Sequence, residues 1–238
     1  MIKVKIADFI IQINNKYDFV KQQCKNYIVD DGQPDFVVEC TQEEIDVEVQ
    51  NYEDPSYANY GYCESVCIYR NLCLQLPKYD ALLMHAAVLD VDGKAYAFTA
   101  QSGTGKSTHI KLWRKLLGNR AIVVNGDKPI LRFIDNELYI YGTPWCGKEG
   151  WNTNMRSVFK ALCFLERAET NSIEPLEMSE CVERVMKQIL MPTDPLGAIA
   201  TLELLDRMLI KIDTWRLGCN MDIEAAKIAY ENMSGDKI

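Results

Sequence analysis

The hydrophobic positions change period several times along the chain, and each change predicts an element. Ile2, Val4 and Ile6 share one parity and Phe9-Ile10-Ile11 follows, so residues 2–14 predict a strand or two. Phe19, Val20, Cys24 and Ile28 recur near helical spacing and predict a helix within residues 17–28. Residues 35–40 and 45–49 read as further strands, the second because Ile45, Val47 and Val49 alternate with acids. Residues 51–62 are turn-rich and tyrosine-rich; such tyrosines either cover a core or stack a ligand. A helix is expected over residues 64–76, ending near Pro77.

The second half of the pattern is sharper. Residues 82–89 form an apolar run containing His85, and Val91-Asp92-Gly93-Lys94 signals a two-residue hairpin. With that turn, residues whose numbers sum to 185 face each other, so Leu89 opposes Tyr96 and His85 opposes Ala100. The returning strand, residues 95–100, is followed by Gln-Ser-Gly-Thr-Gly-Lys-Ser-Thr and then by Ile110, Trp113, Leu116 and Leu117 at helical spacing, with Gly118-Asn119 as a stop. Residues 121–124 predict the next strand, residues 131–134 and 138–141 a second hairpin around Asp135-Asn136, and residues 159–165 another strand. Arg132 on the second hairpin reads as a surface residue. A helix over residues 178–190, a break at residues 192–195, a second helix to about Ile210, a strand near residues 214–217 and a last helix N-capped by Asp222 complete the pattern.

Strand, glycine loop, helix is the order that confirms a phosphate-binding loop. Ala100 to Thr108 departs from the strict form only in placing Ala100 where the first glycine stands. Glycines let successive amides turn inward around phosphate oxygens. On this reading Ser102, Gly103, Thr104, Gly105, Lys106, Ser107 and Thr108 bind the nucleotide. Lys106 reaches the β- and γ-phosphates, the Ser107 hydroxyl ligates Mg2+, and the helix N-terminus adds its positive end. Asn125-Gly126-Asp127-Lys128 follows the next strand, so Asp127 is placed to return to the same metal site and to orient an attacking hydroxyl. The hairpin register sets His85 beside the mouth of the loop. Pro144-Trp145-Cys146-Gly147-Lys148 reads as a rigid loop with an aromatic wall and a cation, or as a plain packed loop.

Composition narrows the partners. The chain has 238 residues, 48% of them apolar and 25% charged, with a net charge of −8. An acidic balance disfavours nucleic acid and anionic membranes as partners. No apolar run is long enough for a membrane span, and Asp8 interrupts any signal-like start, so a cytoplasmic location is expected. The nine cysteines fall mostly in apolar segments and read as buried thiols. Cys63, Cys67 and Cys73 lack a nearby fourth ligand, and Cys63 and Cys67 stand one helical turn apart, as packing residues would.

The order His85, hairpin, Ser-Gly-Thr-Gly-Lys-Ser, helix, strand, Asp127 resembles the core of bacterial HPr kinase/phosphorylase, which is related in fold to phosphoenolpyruvate carboxykinase. The likeness spans about residues 65–235. It is closer to small bacterial HPr-kinase-like proteins, on Leu112-Trp113, residues 125–128, residues 144–148 and Arg-Leu-Gly-Cys-Asn-Met-Asp at 216–222. The resemblance implies an α/β fold with a phosphate-loop mixed-sheet core of that type (residues 81–238, with C-terminal helices) after a small N-terminal α/β region (residues 1–80). It implies ATP and Mg2+ as cofactors, and His85, Lys106 and Asp127 as catalytic residues, with Ser107 and Asp127 on the metal; Lys148, the cation of the rigid loop, is expected to act as an electrostatic helper. The HPr enzymes carry two adjacent aspartates, and the first of them is Gly126 here. The expected activity is phosphate transfer to a hydroxyl of a peptide, protein or small molecule. A non-catalytic nucleotide-binding regulator and carboxykinase-like chemistry on an oxo-acid stand as alternatives. HPr enzymes are hexamers, but no residue here carries that over, so homo-oligomerisation stays open.

Overall fold

The computed structural model describes every residue except Glu53, Pro55 and Tyr57. Tyr57 of the tyrosine-rich connection therefore lies outside the described residues. The chain is a mixed α/β protein with a large sheet of nine strands and a small one of three.

The small sheet comes first. β1 (Ile2–Ile6) and β2 (Phe9–Ile13) pair antiparallel around a tight turn in which Ala7 and Asp8 both take positive φ, and β3 (Phe36–Val38) adds in parallel to β2. α1 (Asp18–Gln23) and α3 (Tyr60–Gln75) pack together where Gly61 leaves no room for a side chain, since a Cβ there would stand 2.5 Å from the Phe19 Cβ. Residues 45–49 are helical rather than extended. They belong to α2 (Gln42–Gln50), which Thr41 and Glu44 open with reciprocal capping hydrogen bonds. Ile45 and Val49, one turn apart, are buried while Val47 is 55% exposed. The alternation was a helix face sampled every second residue.

The large sheet is ordered β4-β8-β9-β10-β6-β5-β7. β4 (Ala81–Leu83), β5 (Ala87–Val91), β6 (Lys94–Thr99), β7 (Ala121–Asn125), β8 (Ile130–Ile134) and β9 (Glu137–Tyr141) are short. β10 (Arg156–Arg167) is the long spine. β6 runs beside it in parallel, and its other edge pairs first with β9 and then, in parallel, with β12 (Asp213–Cys219). β11 (Ser172–Pro175), which the pattern did not announce, pairs with β12 at the edge. The hairpin register is as expected: Leu89 opposes Tyr96 and Val91 opposes Lys94 across Asp92-Gly93, both at positive φ.

Both faces of the central strands are covered, so their odd and even residues separate into two cores. Leu89, Tyr96, Phe98, Ala161 and Cys163 face α4 (Lys106–Leu117) and α7 (Ile223–Ser234). Val88, Ala95, Ala97, Leu162 and Phe164 face α5 (Met178–Met186) and α6 (Pro195–Lys211). The first residues share a third core with Ala81, Leu83, Ile130, Tyr141 and Trp145, so the small sheet is built onto the large one. Arg132 is no surface residue: its guanidinium lies 3.7 Å from the Phe9 ring centre and donates to the Ala7 carbonyl at 2.6 Å. Asp222 stands at the N-cap position of α7 without a side-chain capping bond. No helix among the described residues is long and apolar enough to cross a membrane.

Because β5 is antiparallel to both β6 and β7, the carboxyl ends of β6, β7, β10 and β12 all point the same way. The loops that leave these ends form the candidate site, the usual position in a parallel arrangement.

Candidate functional site

The expected strand over residues 82–89 is interrupted, and the interruption positions His85. Met84 donates its amide to Pro129, His85 to Gln188 at 2.7 Å and Ala86 to Asp127 at 3.0 Å, while the His85 carbonyl accepts from the Thr99 hydroxyl. The β5–β6 ladder stops at Ala87 and Phe98, short of a His85–Ala100 pair. The side chain is thereby turned toward the end of β7, where His85 Nε2 lies 3.0 Å from Asp127 Oδ1.

Asp127 is held by a buried polar clamp. The Asn125 side-chain oxygen accepts the amides of Asp127 (2.8 Å) and Lys128 (2.7 Å), closing an Asx turn. Its NH2 donates to the Thr143 carbonyl and hydroxyl oxygens, and Asn152 donates to the same carbonyl at 2.9 Å. The Thr143 hydroxyl in turn donates to the Lys128 carbonyl at 2.6 Å. Gly126 is packed tightly, since a Cβ there would sit 2.7 Å from the Cys146 carbonyl oxygen. The backbone at this point admits one carboxylate, at position 127, and excludes a side chain at 126.

Across from this clamp lies the glycine loop, residues 101–105. Gly103 (φ +79°) and Gly105 (φ +129°) supply conformations that other residues rarely adopt. Gly105 is the N-cap of α4 and provides no side-chain cap. The first amides of α4 are thus free to meet an anion. Lys106 Nζ donates to the Ala100 carbonyl at 3.1 Å, and Arg167, at the end of β10, donates to the Gly103 carbonyl at 2.6 Å.

His85, Ser102, Gly103, Gly105, Lys106, Ser107, Thr108 and Asp127 line one cavity of ≈ 520 Å³, together with Cys146, Lys148 and Glu149. Thr104 faces two neighbouring cavities instead. Electrostatics favour a charged Asp127. Burial works to raise its carboxyl, but the His85 hydrogen bond and the Lys128 and Lys106 charges outweigh it and hold it below the usual carboxylate range. Burial lowers the Lys106 ammonium from its ordinary value, with Asp127 opposing. His109, the second histidine, is a core residue: its Nε2 accepts from Trp113 at 2.9 Å, and burial lowers its pKa to about 3.

Of the Pro-Trp-Cys-Gly-Lys segment, Trp145 is packed in the third core and donates to Ser65, whereas Cys146, Gly147 and Lys148 face the cavity. Sequence reasoning missed Thr143, Asn152 and Arg167. The polar pair carries no spacing signal, and Arg167 is brought to the loop only by the pairing of β10 with β6.

No family model matches the sequence, and no curated protein matches it. Among solved structures the chain is similar to the HPr(Ser) kinase/phosphatase from Coxiella burnetii, with a TM-score of 0.36 and 14% identity, over 64% of this chain and 93% of that one. That similarity is weak and concerns the fold alone.

Proposed function

We propose that the chain is a Mg-ATP-dependent phosphotransferase that delivers the γ-phosphoryl group to a hydroxyl. One observation carries the reading: Asp127, paired with His85 at 3.0 Å, faces the same cavity as Lys106 and the N-terminal turn of α4. Those groups bracket a space in which a phosphate and a hydroxyl could meet.

The donor set fits a hard divalent cation, because the Ser107 hydroxyl and the Asp127 carboxylate are oxygen ligands facing one cavity. Ser107 and Asp127 would hold Mg2+, which when bound neutralises charge on the phosphates. The chain's own part is positioning and electrostatics. The amides of α4 and the Lys106 ammonium grip the phosphates, Lys106 leaving the Ala100 carbonyl to do so. Asp127 accepts the proton of the incoming hydroxyl, and His85 orients that carboxylate. The nucleoside fits the ≈ 410 Å³ cavity on the other flank of the loop, lined by Leu165, Cys219, Asn220 and Met221.

Lys106→Ala tests the reading. ATP turnover and the binding of a fluorescent ATP analogue should both fall at least a hundredfold, with thermal melting unchanged. Undiminished binding and turnover in the folded variant would rule the mechanism out. Gly126 favours a second reading, a nucleotide-binding regulator, because a lone carboxylate must serve both metal and proton. ATP binding without transfer across a broad set of hydroxyl acceptors would select it.

A further inference from the structure

A second cavity opens on the other side of Asp127. It measures ≈ 770 Å³, within the range of ligand sites. Asp127 faces both this space and the phosphate cavity, so an occupant on this side can present a group directly to the carboxylate.

Its two walls come from distant parts of the chain. One is the loop of residues 144–148. The other is α1 and α3, which place the half-exposed rings of Phe19 and Tyr62 edge to face, 6.0 Å apart, on the cavity. The walls are bonded to each other. Trp145 Nε1 donates to the Ser65 hydroxyl at 3.0 Å, Gln23 donates to the Pro144 carbonyl at 3.4 Å, and Asn154 donates to the Asn26 carbonyl at 3.1 Å. The space is therefore preformed.

Its charge is the reverse of the molecule's. Lys25, Lys128 and Lys148 line it, and Asp127 is the sole carboxylate among the described lining residues, in a chain of net charge −8. Such a lining selects an anionic occupant and repels a cationic one. The side-chain amides of Gln22 and Asn26 pair a donor with an acceptor, as a peptide backbone requires, and the two rings supply apolar contact.

We propose that this cavity is the acceptor site and takes a short acidic peptide segment that presents a serine or threonine hydroxyl to Asp127. The proposal rests on the phosphotransferase reading for its chemistry. The hydroxyl oxygen bonds to the γ-phosphorus, the bond from that phosphorus to the β,γ-bridging oxygen of ATP breaks, the proton passes to Asp127, and ADP leaves.

The test separates the two readings. A serine-centred peptide library is passed over the immobilised full chain without nucleotide, and retained peptides are sequenced by mass spectrometry. Retained peptides should be enriched in Asp and Glu. Lys25→Glu, in the exposed turn that follows α1, should cut their retention at least fivefold, and Tyr62→Ala several-fold, with melting temperature and ATP-analogue binding as in the wild type. Retention with no acidic preference, no retention at all, or full retention by Lys25→Glu overturns the acceptor proposal. Intact acidic selection in a chain that binds no ATP overturns the phosphotransferase reading instead.

Discussion

The two walls of the cavity between Lys106 and Asp127 are restrained by different means. The wall that carries Asp127 is fixed by buried side chains: Asn125 alone makes hydrogen bonds to Asp127, Lys128 and Thr143. The facing wall, the glycine loop, is held by two cations, Lys106 on the carbonyl of Ala100 just before the loop and Arg167 on the carbonyl of Gly103 within it. An anion is a better partner for a lysine than a carbonyl is. The first wall thus presets a carboxylate, while the second is in a state that a phosphate can displace. In the proposed phosphotransferase, geometry would be kept on the side that moves the proton, and exchangeable contacts on the side that takes in and releases the nucleotide.

The largest expected effect separates these roles. Asp127→Asn keeps the shape of the fixed wall and removes its charge. Turnover should drop by about 10²- to 10⁴-fold, the scale for a lost general base, while nucleotide binding changes only a few-fold. Lys106→Ala, in contrast, should remove both. Steady-state kinetics beside analogue titration distinguish the two patterns, and an Asp127→Asn chain as active as wild type would end the proton-acceptor role. The pH sign follows from the same group. Its carboxyl is held below the usual range, so the wild type should keep its ionised base down to below about pH 4, the ordinary aspartate value. The acid limb of the rate profile should lie below that point.

Asn125→Ala is the next largest, and it reads the clamp itself. The Asn125 side chain is fully buried, and its loss leaves the half-buried amides of Asp127 and Lys128 without their acceptor. Unsatisfied buried polar groups cost about 1–3 kcal/mol, so a loss of about 2–3 kcal/mol is expected. That corresponds to a drop in melting temperature of roughly 4–12 °C for a chain of this size. Turnover should fall with it, because Asp127 loses its fixed position. An unchanged melting curve would show that the clamp is ornamental.

How much of this was legible follows from how local each feature is. The β5–β6 register could be read because Asp92-Gly93 fixes it within four residues. Lys106, Ser107 and Asp127 could be named because a loop, a helix and a strand separate them in a familiar order, and the fold brings them to one cavity. His85 was placed beside the loop for an incomplete reason. Its position comes from amide bonds to Gln188 and from Ala86 to Asp127, across sequence separations that no hairpin rule covers. Residues 45–49 misled because a capped helix with charges between its apolar residues also alternates over five positions. Thr143 and Asn152 were invisible, since they act through long-range hydrogen bonds to Asn125 and Thr143 respectively.

Gly126 gives a smaller and more local comparison between the walls. On the glycine-loop side, Gly103 and Gly105 have nothing within 4 Å of an added Cβ, so conformation alone demands glycine there. At Gly126 the φ is ordinary and space is what fails, with the Cys146 carbonyl oxygen at 2.7 Å. Gly126→Ala should therefore cost about 1–3 kcal/mol, as overpacking does, and should push the residues 146–148 loop outward. Gly126→Asp should be worse, not a restored second carboxylate. A folded, more active Gly126→Asp chain would show that the clamp yields where the packing says it cannot.

The smallest effect is expected at the loosest contact. Arg167 is exposed, and its bond to the Gly103 carbonyl joins the carboxyl end of β10 to the glycine loop. Exposed contacts of this kind contribute little, so Arg167→Ala should shift stability by about 0.5 kcal/mol or less. Its consequence should appear in the free loop rather than in the fold. Hydrogen exchange of the residues 102–105 amides should speed up in the variant, while exchange at Asp127 and Lys128 stays at the wild-type rate, because the clamp does not touch Arg167. If both walls loosen together, the loop and the clamp are one mechanical unit and the division of labour between them is wrong. If neither changes, Lys106 and the backbone suffice to hold the loop, and the contrast between a fixed and an exchangeable wall rests on Lys106 alone.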